Sequence, residues 1–458
     1  MFPITPFERK LFAQLLEYNR TLGLGMTYRV AGGWVRDRIM SIPCNDIDIA
    51  IDRSSGAVFA EGFINYLKDQ SEEVHGYHVV AFNHEKAKHL ETASLQYLGY
   101  SIDFVALRTE EYAGSRIPVV RTGTPQEDAN RRDITINSLF YNINTEKVED
   151  YTGKGVSDIE EKKIRTPLDP METFADDPLR ILRVLRFAAR LSFEIVPEIL
   201  SVLGEKSLHT KLGQIVSKER VGQEIKKTLA HAGYKTALLT MAEYGITKVI
   251  LPFADVSLED LQKYIEALEK IEENKSHPLH KIKDTDLYLV RAFGLLQNSM
   301  GKRKGKILLT EYAAGECFKW TKAERKSLAQ IELCLQGMDS VVDKDIEKTD
   351  KLVQISRMLG SALEESLTVY DILQHRKAHI KIDVPQMYSD IVGQGYREVY
   401  LEKYSIDFET VMKELDIKPR EAQQHMERYT QLSIIHKTED KEYIFSLLKN
   451  EIAQEVKK

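Results

Sequence analysis

Cysteine, tryptophan and long apolar runs are what this chain of 458 residues has least of. Its three cysteines, Cys44, Cys317 and Cys334, are odd in number, far apart and in no Cys-x-x-Cys arrangement. That excludes a disulfide framework and a cysteine-based zinc site, and it fits a reducing compartment. No apolar run approaches the roughly 20 residues of a membrane-spanning helix, so no membrane partner is expected. Charge of one sign is not in excess either: 64 Lys and Arg against 70 Asp and Glu leave a formal net charge of −6. With that balance a polyanion is bound only through a local basic surface, because the global field repels phosphates. Composition therefore neither supports nor excludes an RNA partner.

What is present is a globular composition, 43% hydrophobic and 29% charged, over a length that exceeds one hydrophobic core. Near the amino terminus Phe7, Leu11, Phe12 and Leu15 recur at helical spacing, with Glu8 and Glu17 among them. This reads as an amphipathic first helix rather than a targeting segment. The cytoplasm is the expected compartment, with nucleus or mitochondrion requiring alternative starts. To about residue 150 short apolar runs alternate with turn residues, as in a mixed α/β head; from about Gly153 long amphipathic patterns take over. The expected fold is α+β, with a head over 1–150, a helical neck over 151–245 and a helical body and tail over 246–458.

The head carries its chemistry in two places. Tyr28 to Ala31 reads as a strand, and Gly32 and Gly33 after it let backbone amides approach a triphosphate, with Arg36 and Asp37 following. The next strand, Asp46 to Asp52, alternates carboxylate and apolar residues, so Asp46 and Asp48 share one face and Ile47, Ile49 and Ile51 the other. Two carboxylates so close call for a cation, and Mg²⁺ suits them because it takes oxygen ligands and completes its shell with water and substrate phosphates. Ser101 to Arg108 reads as a further strand on which Asp103 is a third carboxylate. Between them His75, His78, His84 and His89 fit no familiar zinc spacing, and Ser71 to Gln96 reads as a mobile loop. An isolated Gly-Gly is ordinarily a turn and an isolated Asp-x-Asp a solvated strand edge; joined at this spacing they argue for a phosphate cradle beside a metal pair.

The second constellation is Arg131-Arg132-Asp133-Ile134-Thr135-Ile136-Asn137, preceded by Asp128. Paired guanidinium forks suit phosphates, while Asp133 and Asn137 can bond ribose hydroxyls. Taken alone it could equally be a surface charge run. The third is Asp176-Asp177-Pro178-Leu179-Arg180, with Pro178 at the first helical position, Asp177 as the N-cap, and Arg183, Arg186 and Arg190 continuing an arginine face. Asp177 and Arg180, three apart, offer an acceptor beside donors. Cytosine and adenine both present an amino donor beside a ring acceptor, so one such pair reads either base; uracil and guanine reverse the pattern and leave polar groups unpaired.

These segments resemble the nucleotidyltransferase superfamily, in the branch holding tRNA CCA-adding enzymes and bacterial poly(A) polymerases. The likeness runs from about residue 28 to 230 and rests on Gly32-Gly33-x-Val35-Arg36-Asp37, Asp46-x-Asp48, Arg131-Arg132-Asp133-x-Thr135-x-Asn137, Asp177-x-x-Arg180 and Ser217-x-Glu219-Arg220 with Glu224. Glu149 to Asp158 resembles the hinge between head and neck. The resemblance implies Mg²⁺ on Asp46 and Asp48, with Asp103 beside them. It implies nucleotide binding by Gly32, Gly33, Arg36, Arg131, Arg132, Asp133 and Asn137, and by Asp177, Arg180, Arg183 and Arg186 in the neck. It further implies CTP and ATP as substrates, and tRNA gripped through its acceptor and TΨC arms by the body and tail. Asp176 stands where many relatives have Glu, an acidic-for-acidic change. A poly(A) polymerase, an enzyme adding only the C residues or only the final A, and an RNA-binding protein without catalysis are the competing readings. Lys302-Arg303-Lys304 with Lys306 is a basic cluster between helices, open to reading as a solvated loop or a phosphate contact.

Overall fold

The computed structural model describes residues 3–72, 74–80, 92–97, 99–111, 119–376, 381–404 and 406–455. The chain divides into two compact units, Met1–Ile250 and Leu251–Lys458. In the first, helix α1 (Pro6–Thr21) starts with a Thr5/Glu8 capping box and buries Leu11, Phe12, Leu15 and Tyr18. Phe7 lies outside that buried stripe and stacks on Tyr100, with ring centroids 4.0 Å apart.

The elements that follow are β1 (Tyr28–Ala31), α2 (Gly33–Ile39), β2 (Asp46–Ile51), α3 (Gly56–Asp69), β3 (His75–Val80), β4 (Thr92–Tyr97), β5 (Tyr100–Ala106), β6 (Arg108–Glu111), β7 (Val119–Thr122), α4 (Pro125–Asn130), β8 (Phe140–Asn142) and β9 (Lys147–Glu149). Seven of these strands form one sheet in the order β3-β4-β5-β2-β1-β8-β9, and β6 with β7 makes a separate ribbon. Only the β2–β5 pair in the large sheet is parallel. One face of the sheet is apolar: Ile47, Ile49, Ile51, Ile102, Phe104 and Leu95 are each at most 1% exposed. Phe59 and Phe63 of α3 cover it, each with its ring within 6 Å of Phe104.

Two expectations need correction here. Ser71 to Gln96 is not simply a loop, because it contains β3 and β4. The alternation Ala93, Leu95, Tyr97, all fully buried, pairs β4 antiparallel with β5. His84 and His89 lie outside the described residues, and among the described ones no cluster of three His, Cys, Asp or Glu closes into a metal cage. The strand expected through Arg108 ends at Ala106: Leu107 donates its N–H to the Ile51 carbonyl at 3.2 Å, and Arg108 begins the β6–β7 ribbon.

The rest of the first unit comprises α5 (Gly155–Glu160), β10 (Lys163–Ile164), α6 (Pro170–Asp176), α7 (Leu179–Leu191), β11 (Glu194–Ile195), α8 (Pro197–Leu200), α9 (Lys206–Ile215), α10 (Lys218–Ala230), α11 (Tyr234–Glu243) and α12 (Ile246–Ile250). It is helical apart from the short parallel pair β10–β11. Among its described residues the second unit is helical apart from a small hairpin, β12 (Arg303–Lys304) and β13 (Ile307–Leu308). Its helices are α13 (Leu258–Glu273), α14 (Leu287–Leu296), α15 (Leu309–Glu316), α16 (Lys322–Val342), α17 (Lys348–Leu359), α18 (Leu363–Arg376), α19 (Val384–Gly393), α20 (Phe408–Leu415), α21 (Pro419–His436) and α22 (Lys441–Glu455). No helix among the described residues is long and apolar enough to cross a membrane.

Candidate nucleotide and metal site

The second face of the sheet carries the carboxylates. Cross-strand partners share a face, and the β2–β5 register sets Asp48 opposite Asp103 and Asp46 opposite Ser101. Adjacent strands lie about 4.8 Å apart, so Asp48 and Asp103 are immediate neighbours. The row continues through Ser94 to His78 on the far strands, a histidine that the sequence placed in a loop.

Solvent reaches Asp48, yet protein crowds its other sides. Desolvation first, then the neighbouring charge of Asp103 and the smaller one of Asp46, push its carboxyl up to about 6, while Arg132 opposes them. Beside it Asp103 keeps a buried Oδ1 with no hydrogen-bond partner. A carboxyl raised by like-charged neighbours and an orphaned acceptor oxygen beside it are what a divalent cation neutralises. The donor set therefore fits such an ion, with substrate phosphates or water completing its shell.

At the end of β1, Gly32 has φ +65°, and a Cβ there would meet Arg132 Nη1 at 2.7 Å and the Asn137 carbonyl at 3.1 Å. Glycine is required both for this left-handed turn and for the close approach of a guanidinium. The Gly32 amide is not presented to a ligand: it donates to the Leu139 carbonyl at 2.8 Å. Arg36 is 2% exposed; its guanidinium pairs with Asp37 at 2.7 Å, bonds Asn137 Oδ1, and lies over the Phe187 ring, 5.2 Å from its centroid.

The arginine pair is organised by Asp128, which is 1% exposed. Its Oδ1 accepts from Arg131 Nε at 2.9 Å and its Oδ2 from Arg132 Nη2 at 2.8 Å. Arg132 also lies over the Phe140 ring. Asp133, likewise buried, accepts from Asn137 Nδ2 at 3.1 Å and from Arg183 Nε at 2.8 Å. Burial alone would raise the Asp133 carboxyl, but the Arg183 charge and these hydrogen bonds outweigh it and hold the group below its ordinary range.

In the neck, helix α7 begins one residue later than expected. Pro178 occupies the cap position, and Asp177 reaches forward to accept the Leu179 N–H at 3.2 Å. The short helix α6 just before it was not anticipated. Asp177 is tied to Arg220 at the start of α10, with Nη2–Oδ2 2.6 Å. Arg180 turns inward, donating to the Thr173 carbonyl at 3.1 Å and the Arg131 carbonyl at 2.6 Å. Arg186 bonds the buried Glu224 at 2.5 Å, and Arg190 reaches Asp37 at 3.3 Å. The arginine face of α7, open on sequence to being a solvated stripe, thus joins neck to head: Arg180 reaches the Arg131 segment, Arg183 reaches Asp133 and Arg190 reaches Asp37.

The structure brings together Asp46, Asp48 and Asp103 on one face, and binds Gly32, Arg36, Arg132, Asp133, Asn137 and Arg183 into one network. It places Asp177 and Arg180 at the adjoining start of α7. Sequence reasoning left out Asp128, Asp37 and Arg220 as organisers. The i, i+3 and i, i+4 spacing of Asp128 to the arginines was the available signal for the first. The other two depend on contacts across more than 40 residues of chain.

Comparison with known proteins defines first the class of the head. Residues 28–165 match the family model described as "Poly A polymerase head domain", and residues 193–258 the model described as "Probable RNA and SrmB- binding site of polymerase A". The mitochondrial CCA tRNA nucleotidyltransferase of Saccharomyces cerevisiae is 46% identical over 209 residues, covering 44% of this chain and 38% of that protein. The chain thus matches well under half the length of that relative. The tRNA nucleotidyltransferase cca2 of Schizosaccharomyces pombe is 31% identical over 434 residues, covering 90% of this chain and 89% of its own. The Thermotoga maritima CCA-adding enzyme complexed with tRNA shares the fold at 18% identity, with a TM-score of 0.66 over 98% of this chain and 96% of that one. The chain belongs to the tRNA nucleotidyltransferase family.

Proposed function

We propose that the protein adds the CCA sequence to the 3′ end of tRNA without a nucleic-acid template, using CTP and ATP and releasing pyrophosphate. The observation that carries this reading is the Asp48–Asp103 row with its orphaned oxygen, beside an arginine pair clamped by Asp128. Asp46 and Asp48, with Asp103 beside them, would hold Mg²⁺, which when bound would supply activation of the RNA 3′-hydroxyl and neutralisation of charge on the leaving phosphates. Arg131 and Arg132 orient the triphosphate, and Asp133 with Asn137 bonds the ribose hydroxyls. Asp177 and Arg180 read the pairing edge of the incoming base. The Arg180 fork is anchored on two backbone carbonyls and Asp177 on Arg220, so both are held in orientation before a base arrives. The head over 1–150 performs the transfer, the neck over 151–245 selects the base, and the body and tail over 246–458 grip the acceptor and TΨC arms by backbone and shape. The cytoplasm is the compartment this reading assigns.

The test is extension of a tRNA lacking its 3′-CCA, resolved to single nucleotides, with Mg²⁺ and CTP, ATP or both. Two C residues with CTP alone, and arrest after CCA with both, are expected. A long A ladder would make it a poly(A) polymerase, and a stop after C or a need for pre-added CC a partial enzyme. No extension would return the non-catalytic RNA-binding reading. Arg180→Ala is expected to weaken the preference for CTP and ATP over UTP and GTP; unchanged preference would remove Arg180 from base reading.

A further inference from the structure

Residues 302–306 place Lys302, Arg303, Lys304 and Lys306 within five positions, all exposed, in a protein of net negative charge. Like charges so close repel, and an isolated two-stranded hairpin is marginal in water. Yet this segment is a built hairpin: Arg303 pairs with Leu308 and Lys304 with Ile307 across a turn in which Gly305 has φ +64°. Its base is closed by the Leu309 N–H donating to the Lys302 carbonyl at 2.8 Å. A fully buried carboxylate, Glu332 of α16, braces both ends, accepting the Gly301 N–H at 2.7 Å and the Thr310 hydroxyl.

One cation is used to fasten the hairpin to its neighbours. Lys304 Nζ donates to the Tyr312 hydroxyl at 2.7 Å and lies 4.3 Å and 4.8 Å from the centroids of the Tyr312 and Phe253 rings. Among the described residues the other three, Lys302, Arg303 and Lys306, make no ion pair. The Arg303 guanidinium donates to the Lys306 carbonyl at 3.1 Å within the hairpin. Glu332 thus fixes the backbone that carries these cations, and a fixed backbone loses less freedom when a polyanion binds.

We propose that the 303–308 hairpin is an RNA-backbone contact, with Lys302, Arg303 and Lys306 pairing with successive phosphates of the tRNA substrate. The inference rests on the tRNA reading above and names a surface in the second unit that takes part in it. Phosphate pairs release counterions, so each contributes to the salt dependence of binding.

The test measures affinity of the full chain for tRNA lacking 3′-CCA by fluorescence anisotropy across a salt series. Three proteins are compared: wild type, Lys302→Ala/Arg303→Ala/Lys306→Ala, and a control that removes equal charge from the same unit, Lys270→Ala/Lys275→Ala/Lys281→Ala. The hairpin variant should bind roughly tenfold or more weakly at low salt, with a log–log salt slope shallower by about 2, and the control should do neither. Circular dichroism and Tm should match wild type, since the three side chains are exposed. Equal affinity and slope in wild type and hairpin variant would overturn the inference, as would equal losses in hairpin variant and control. If wild type itself bound no tRNA, the functional reading would fall together with this one; binding by wild type with an indifferent hairpin variant sinks the hairpin alone.

Discussion

Asp48 and Asp103 face each other across two parallel strands, and the strain of that pairing has a sign that can be measured. The Asp48 carboxyl stands near 6 in the fold against about 3.9 in an unfolded chain. Between those values the folded state binds the extra proton, so without a cation stability falls as pH rises from about 4 to about 6. A divalent cation competes with that proton and relieves the repulsion. Mg²⁺ is therefore expected to raise Tm more at pH 7 than at pH 5, and Asp48→Asn to remove the shift; an identical shift in the variant would take Asp48 out of the metal site. Asp133 has the opposite sign. Its carboxyl is held low by Arg183 against the cost of burial, so its stabilisation is complete above about pH 4 and is lost as pH falls through its lower folded value. Asp133→Asn should cost about 2 kcal/mol at pH 7, because Arg183 loses a charged acceptor, and the difference from wild type in urea unfolding should shrink as pH falls below the ordinary carboxylate range. The carboxylates themselves were legible in the sequence from strand alternation. Arg36 was legible as a residue but not in its setting, since only the fold shows its guanidinium spent on Asp37 and Asn137.

Helix α7 is the element on which head and neck depend. Its apolar residues Ile181, Leu182, Val184 and Leu185 are fully buried, while its arginines each find a partner from another element. Arg186→Ala would leave buried Glu224 with only the more distant Arg183 at 3.9 Å, a loss of about 3 kcal/mol; removing both the Arg186 and Glu224 side chains should cost less than the sum of the single changes. Urea unfolding of the four proteins of that cycle measures it, and additivity would mean the two act separately. The same helix packs so closely on α11 that a Cβ at Gly233 would sit 2.4 Å from the Ala189 carbonyl oxygen. Gly233→Ala must then move backbone and should lower Tm markedly. Gly153→Ala, at φ +66° with open space around it, should cost only about 1 kcal/mol. If the two substitutions shifted Tm equally, the close approach of α7 to α11 would not be what glycine serves there. In the segment that resembles the hinge, the Asp150 carboxylate accepts the N–H groups of Thr152, Gly153 and Val156 and so orders the turn.

Across the whole molecule, every candidate catalytic and nucleotide-binding residue lies within Met1–Ile250, which has its own sheet and core. A fragment of residues 1–250 is expected to fold and to keep the thermal shift produced by Mg²⁺ with CTP or ATP. Loss of that shift in a folded fragment would mean that the second unit contributes to nucleotide binding. What the sequence determined by itself were features of short range. Strand alternation exposes Asp46 and Asp48 and buries three isoleucines, helical spacing sets the apolar stripe of α1 and the arginine face of α7, and glycines mark the turn after β1. These follow from backbone periods of 2 and 3.6 residues, which neighbours in the chain express wherever they are placed. Only the tertiary structure decided what each charge meets. Asp103 came to Asp48 by the parallel pairing of β5 with β2, Arg220 to Asp177 over 43 residues, Arg190 to Asp37 over 153, and β4 out of a presumed loop because β5 offered a partner for its apolar face. Such encounters depend on packing between distant segments, and the direction of a guanidinium or a buried carboxylate is settled only when that packing removes water from around it.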